Sequence, residues 1–236
     1  MTMVVNNYRE IEKRVAAACE RAGRNRSEVT IVAVSKTKPD EMVEELAAAG
    51  VRDFGENKPQ ELMRKHDGIL TDEGEPLRWH MIGNLQTNKV KMVVGKACLI
   101  HSVPSLHTAE AVSKEAVKKG VVVPVLIEIN IAEEETKHGA DAAETENLVR
   151  TIAALPNLSV KGLMAIAPPV EDPEENRGYF KSLRRMRDRL RAENIGNAPM
   201  TELSMGMTGD FEVAVEEGAT IVRVGTAIFG ARDYSV

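Results

Sequence analysis

Aromatic side chains are scarce in this chain, with one Trp, three Tyr and four Phe among 236 residues. Its core must therefore be built from Val, Ile, Leu, Ala and Met, and a 43% hydrophobic content is enough to build a large one. Cysteine is nearly absent as well. Cys19 and Cys98 show no metal-ligand spacing and lie in apolar-periodic segments. They read as buried free thiols of a reducing compartment, which excludes a disulfide framework. No stretch approaches the ~20 apolar residues of a membrane span, and no signal-like run opens the chain. An excess of one charge is also missing: 31 basic residues stand against 36 acidic ones, 31 − 36 = −5, with both signs interspersed. Bulk charge thus offers no surface to nucleic acid or to a membrane. Even the basic run 181–191 has Phe180, Leu183, Met186 and Leu190 at helical spacing, so its arginines read as a solvated helix face. A soluble, cytoplasmic protein is expected.

What is present is a rhythm of short apolar runs and helical patterns. An amphipathic helix over 6–22 comes first, with Tyr8, Ile11, Val15, Cys19 and Ala22 on one face and Gly23 as its stop. Strands are expected over 30–35, 51–55, 77–82, 98–102, 122–130, 159–166, 200–204 and 219–224. Helices are expected near 40–49, 57–66, 86–94, 105–119, 141–154, 174–192 and 208–217, with Gly50, Gly120 and Gly218 as C-caps. No Pro/Gly/Ser-rich linker interrupts the series, so 1–236 is expected to form one domain. Eight strands alternating with helices is the count of a closed (β/α)8 TIM-type barrel of the α/β class, here with an extra N-terminal helix. The competing doubly wound sheet lacks its Gly-x-Gly-x-x-Gly turn after the first strand.

In such a barrel the chemistry gathers at the carboxyl ends of the strands. Lys36 ends the buried run Ile31–Val34, and a partly desolvated lysine there is a candidate nucleophile; the plainer alternative is a lysine reaching into water. The other strand ends contribute Gly55-Glu56-Asn57, His80, Ser102, Asn130, Met164-Ala165, Ser204-Met205-Gly206-Met207 and Arg223-Val224-Gly225-Thr226. Only Glu56 and Glu128 are acidic, so a paired-carboxylate hydrolase is not expected, and no His/Cys/Asp cluster suggests a catalytic metal. Ser204, Met205, Gly206, Gly225 and Thr226 lie in the last two loops, the usual place of a phosphate cup in this fold, although the glycines would also serve as simple turn formers. A lysine facing a phosphate cup suits a phosphorylated carbonyl compound held as an imine. Arg223, on the strand that leads to the cup, would bind a sugar hydroxyl or face the ring nitrogen of pyridoxal phosphate.

The segments AVSKTKP, FGENKPQE, WHMIGNLQTNK, EETKHG, GLMAIAP, LSMGMTGDFEVAVEEGAT and VRVGTAIFGAR together resemble the pyridoxal-phosphate homeostasis proteins, over about residues 30–232. The resemblance implies the barrel of the N-terminal domain of alanine racemase (fold type III). It implies pyridoxal 5'-phosphate as cofactor, joined to Lys36 as a Schiff base. Ser204, Gly206, Gly225 and Thr226 would hold the phosphate, with Met205 in the same motif. Arg223 would face the pyridine nitrogen, Asn57 would lie beside the ring, and His80 and Met164 would stand near the pocket. The implied function is non-catalytic, in intracellular vitamin B6 homeostasis and amino-acid balance, with apo pyridoxal-phosphate enzymes as candidate recipients. A pyridoxal-phosphate racemase or lyase and a cofactor-free Schiff-base aldolase are the alternatives. Racemisation needs a second base, and none of Tyr8, Tyr179 and Tyr234 lies at a strand end. The chain ends just past the eighth strand, and a monomer is expected.

Overall fold

The computed structural model describes residues 2–71, 74–131, 139–140 and 144–231. Most of the EETKHG segment, together with Arg232 and Tyr234, lies outside them. Among the described residues, short β-branched runs form strands because both of their faces can be covered. The strands are β1 (Thr30–Val34), β2 (Asp53–Glu56), β3 (Arg78–Met81), β4 (Ala97–Val103), β5 (Val123–Ile129), β6 (Leu158–Ala165), β7 (Glu202–Ser204) and β8 (Ile221–Val224). All pair in parallel, in chain order, and β8 returns to β1 to close the barrel, with Thr30 opposite Ile221 and Ala33 opposite Val224.

The helices wrap the outside. α1 (Met3–Arg21) begins three residues earlier than its apolar pattern suggested and buries Val4, Val5, Ile11, Val15, Ala18 and Cys19. α2 (Asp40–Ala48) starts one residue after Pro39, which is its N-cap and not its first turn. In α3 (Pro59–Gly68) the proline does occupy the first turn, where no N–H is needed. The pattern near 86–94 forms only a 3-10 turn followed by the single turn α4 (Val90–Val93). Next come α5 (Leu106–Lys119), α6 (Thr145–Ala153), α7 (Arg177–Ala192), α8 (Phe211–Glu216) and a last turn, α9 (Thr226–Phe229). Gly120 caps α5 in the left-handed region, at φ 66°. α1 packs against α8, α9 and α2, with Arg14 bonded to Glu212 at 2.9 Å.

Two apolar layers follow from the alternation of strand residues. Outward-facing side chains such as Ile31, Ala33, Phe54, Trp79, Ile100 and Leu203 meet the helices in one large core. Inward-facing Val32, Leu99, Leu126, Met164 and Ile221 make a smaller plug inside the barrel. Met164, expected near the pocket, belongs to this plug and is 1% exposed. His80, His101, Ser204 and Arg223 are polar inward positions, bonded in series, and they connect to the site.

Candidate functional site

A pocket of about 340 Å3 opens at the carboxyl ends of the strands. It is lined by Lys36, Asn57, Arg223, Gly225 and Thr226, and by Met207, Thr208 and Gly209. Val34, Ile82 and Ile166 complete the wall as apolar surface.

Lys36 reaches the pocket through a tightly held turn. The Lys38 N–H closes it on the Ser35 carbonyl at 3.1 Å. Thr37 sits at φ 62°, a left-handed conformation that a β-branched residue rarely adopts. Its N–H is taken by Glu61 Oε1 at 2.8 Å. Beneath the turn lies a fully buried ion pair. The Lys65 ammonium donates to Glu56 Oε1 and to the Ser35 carbonyl, each at 2.7 Å, and contacts Glu61 Oε1 at 3.2 Å. Two hydrogen bonds and a second carboxylate thus surround the buried ammonium. The Ser35 hydroxyl also donates to Glu56 Oε1, at 2.7 Å. Burial raises the Glu56 pKa, and the Lys65 charge and bond oppose that rise. Lys38 points elsewhere: its ammonium donates to the carbonyls of Gly230 and Ala231, at 3.1 and 2.8 Å. Of the two lysines in the motif, Lys36 is the one lining the pocket.

Asn57 is held on the adjacent wall by a close crossing of loops. A Cβ on Gly83 would stand 2.5 Å from the Asn57 carbonyl oxygen, so only glycine fits there. The Ser102 hydroxyl ties down the same glycine by donating to its carbonyl. On the opposite wall, Gly206 turns the chain at φ 89°, with Phe211 and Ala214 of α8 packed so closely that a Cβ would meet Ala214 at 2.5 Å. The chain then doubles back, and the Met207 N–H is taken by Asp210 Oδ1 at 2.7 Å. This leaves Met207, Thr208 and Gly209 at the pocket, where Gly225 and Thr226 of the neighbouring loop also line it.

Arg223 forms the floor. It is 4% exposed and donates to Ala165 O at 2.9 Å and to Ser204 Oγ at 2.5 Å. Burial lowers its pKa to about 10, against the pull of Asp210 and Glu128. Ser204 is in turn 2.8 Å from His101 Nδ1, and His101 Nε2 is 2.9 Å from His80 Nδ1. His80 Nε2 reaches Asp53 Oδ1 at 3.1 Å, and Arg78 Nε donates to the same carboxylate at 2.8 Å. Asp53 and Arg78 open their strands, so this series descends the barrel from the pocket to the opposite mouth.

Burial opposes charge on His80, but the Asp53 bond and the Cys98 sulfur outweigh it and push its pKa up to about 9. At His101, burial and the facing charges of His80 and Arg223 hold the pKa well below the ordinary value of 6.5. Folded His80 therefore keeps its proton up to about pH 9, and the stability this brings is complete below 6.5 and lost as pH rises toward 9. His101 stays neutral when folded, so below 6.5 only the unfolded chain gains its proton, and stability falls. Urea titrations are expected to place this pair's contribution at a maximum near pH 6.5, with limbs of up to ~1.4 kcal/mol per pH unit. His80→Gln is expected to remove the alkaline limb; an unchanged limb would assign it to other groups.

The pocket thus brings together Lys36, Asn57, Arg223, Gly225 and Thr226. Five other expected residues lie elsewhere, Met164 among them in the apolar plug. Ser204 points into the barrel and is bonded to Arg223 and His101, because it ends β7 on an inward position. Met205 faces outward and packs into the large core, with its N–H on the Ile221 carbonyl. Gly206 is the hinge of the loop, and His80 belongs to the lower half of the barrel. Sequence reasoning missed Thr208, Gly209, Lys65 and His101. A hydroxyl beside a glycine in the β7–α8 loop was a visible signal for Thr208, whereas nothing local distinguishes Lys65 from a surface helix lysine. Among the described residues no tyrosine lines the pocket: Tyr8 lies on α1 and Tyr179 on α7. Nor do those residues hold any cluster of metal-binding type, and no helix among them is long and apolar enough to cross a membrane.

Comparison with known proteins places this geometry. Residues 7–233 match the family model of the alanine racemase N-terminal domain. The pyridoxal phosphate homeostasis protein of Aquifex aeolicus is 46% identical over 222 residues, covering 94% of this chain and 95% of its own. A crystal structure from Bifidobacterium adolescentis superposes with a TM-score of 0.90 at 38% identity, covering 96% of this chain and 94% of that one. PipY of Synechococcus elongatus, solved with pyridoxal phosphate bound, gives a TM-score of 0.79 at 34% identity, over 93% of this chain and 100% of its own. The chain belongs to the pyridoxal phosphate homeostasis protein family, which is built on the alanine racemase N-terminal domain barrel.

Proposed function

We propose that this protein binds pyridoxal 5'-phosphate in the upper pocket, covalently through Lys36, and acts as a non-catalytic carrier in intracellular vitamin B6 homeostasis. The observation that carries this is the composition of one cavity: a lysine after β1, a buried guanidinium on the floor, and hydroxyl- and glycine-bearing loops after β7 and β8. Its volume of about 340 Å3 lies within the roughly 300–1,000 Å3 of small-ligand sites. The donor set suits the cofactor. Lys36 offers an amine to an aldehyde, Thr208 and Thr226 offer hydroxyls to a phosphate, and Asn57 flanks the ring.

Pyridoxal phosphate supplies an aldehyde and an electron-withdrawing ring. A guanidinium can only donate hydrogen bonds, so Arg223 favours a ring nitrogen that stays unprotonated and keeps the ring a weak electron sink. The Ala165 carbonyl and the Ser204 hydroxyl fix its plane. Ile82, Ile166 and Val34 keep water from the walls. A monomer that hands its cofactor to apo-enzymes, without racemising amino acids, fits a pocket that no described tyrosine enters.

The phosphate is expected to be the main anchor. Charge-assisted bonds contribute about 1.5–3 kcal/mol each, so replacing Thr208 and Thr226 together by Ala should weaken pyridoxal phosphate binding well over tenfold. Fluorescence or absorbance titration should also find pyridoxal without phosphate binding far more weakly. Equal affinity for the two compounds would overturn the assignment of these loops.

A further inference from the structure

The polar series inside the barrel can be ordered proton by proton. His80 Nε2 faces a carboxylate, which only accepts, so that nitrogen carries a proton in every state. Two orders remain. In the first, His80 is a cation. Its Nδ1–H donates to His101 Nε2, His101 Nδ1–H donates to Ser204 Oγ, and Ser204 accepts from both His101 and Arg223. In the second, His80 is neutral and its Nδ1 accepts from His101 Nε2–H. The Ser204 hydroxyl then donates to His101 Nδ1 while still accepting from Arg223. The two differ by one proton, held on His80 in the first; in the second the His80 Nδ1 proton has passed to His101 Nε2, the His101 Nδ1 proton to Ser204 Oγ, and the former hydroxyl proton has left at the pocket end. His101 keeps one proton in both, on Nδ1 or on Nε2.

We propose that His101 is a positioning residue for Arg223: its tautomer, set by His80 and Asp53 at the lower mouth, decides the direction of the Ser204 hydroxyl. Proton occupancy at one end of the barrel is thereby coupled to the guanidinium that lines the pocket at the other. This rests on the reading that Arg223 faces a bound ring.

The geometry favours such coupling. His80, His101, Ser204 and Arg223 are all buried, the last three at 0%, 0% and 4% exposure, so water does not compete for their bonds. The lower end opens into a cavity of about 440 Å3 lined by Asp53, Arg78, His80 and Cys98, with Lys161 and Glu202 across from them. The groups acting on His80 are Asp53 on β2 and Cys98 on β4, with His101 bonded to it; Arg78 on β3, Lys161 on β6 and Glu202 on β7 are the other charged groups that line this mouth. Those acting on Arg223 are Asp210 and Glu128. The raised pKa of His80 and the lowered one of His101 put the first order at neutral pH and the second above about pH 9.

The test is nitrogen NMR of the cofactor-free protein with labelled histidine and arginine, from about pH 6 to about pH 10. His101 is expected to carry its proton on Nδ1 at neutral pH and to switch to Nε2 with the midpoint of the His80 titration. The Arg223 side-chain nitrogens should shift at that same midpoint. Asp53→Asn, at the edge of the lower cavity, is expected to lower all three midpoints together, by about one pH unit or more. His101→Gln should abolish the Arg223 shift. In the second arm, pyridoxal phosphate affinity is followed across the same range, and its step should move with Asp53→Asn. A His101 tautomer that ignores the His80 titration, or an Arg223 signal that ignores both, overturns the proposal. A wild-type protein that takes up no pyridoxal phosphate overturns the binding reading instead, and the relay is then decided by the Arg223 signal alone.

Discussion

Alanine at position 36 is expected to leave a folded protein that no longer forms a reducible bond with pyridoxal phosphate. Borohydride treatment of the loaded wild type should fix one pyridoxyl-phosphate group per chain, and peptide mapping should find it on Lys36. The neighbouring Lys38 is the natural competitor, but its ammonium is already shared between the carbonyls of Gly230 and Ala231. Removing Lys36 deletes the only amine among the described pocket-lining residues while sparing Arg223, Thr208 and Thr226. Some non-covalent binding is therefore expected to persist in Lys36→Ala. Label found on Lys38 would sink the assignment, and so would an undiminished visible absorbance in the Lys36→Ala protein.

The largest effect on stability is expected at Lys65, which sequence reasoning passed over. Lys65 and Glu56 are both 0% exposed, and breaking a buried pair by removing one partner costs about 3–5 kcal/mol, because the other charge is left uncompensated. Glu56 Oε2 already lacks a hydrogen-bond partner, so the Ser35 hydroxyl on Oε1 is the one neutral donor left to the carboxylate when Lys65 is lost. Lys65→Met should therefore lower the unfolding midpoint by on the order of 10 °C. The same change frees the Ser35 carbonyl and loosens the turn that carries Lys36, so cofactor retention should fall with stability. The double variant Lys65→Met with Glu56→Leu is expected to recover most of the stability, since a well-packed apolar pair can replace a buried ionic one. It should not recover retention, because the Ser35 carbonyl still lacks its donor. A loss below about 1 kcal/mol in Lys65→Met would mean that the pair contributes little.

These two residues also mark how far the sequence could be read. Lys36 was legible because it follows a buried β-branched strand and because barrels assemble their chemistry at such ends. Lys65 was not. In the string it is one of several charged residues on an amphipathic helix, and only the docking of α3 beneath the β1 turn buries it. The phosphate loops show the same division. The β7–α8 and β8–α9 loops both supply residues to the pocket, and within the first the lining residues are Met207, Thr208 and Gly209, a few positions past Ser204. The sequence shows a glycine and a serine there. It does not show that Ser204 ends its strand facing inward, nor that Gly206 reverses the chain and passes Thr208 to the pocket.

Strand and helix succession, the closure of eight parallel strands and the rim bearing the site were determined by the sequence itself. These follow from the period of apolar residues and from glycine and proline stops, which act within a few residues of chain. What only the tertiary structure decided is which polar side chains meet inside the barrel. Asp53, His80, His101, Ser204 and Arg223 come from five strands, and although three of them stand out at strand ends, nothing in the string joins them. Their bonds depend on barrel closure and on the register of each strand against the next, and a shift of one residue would turn every one of them outward.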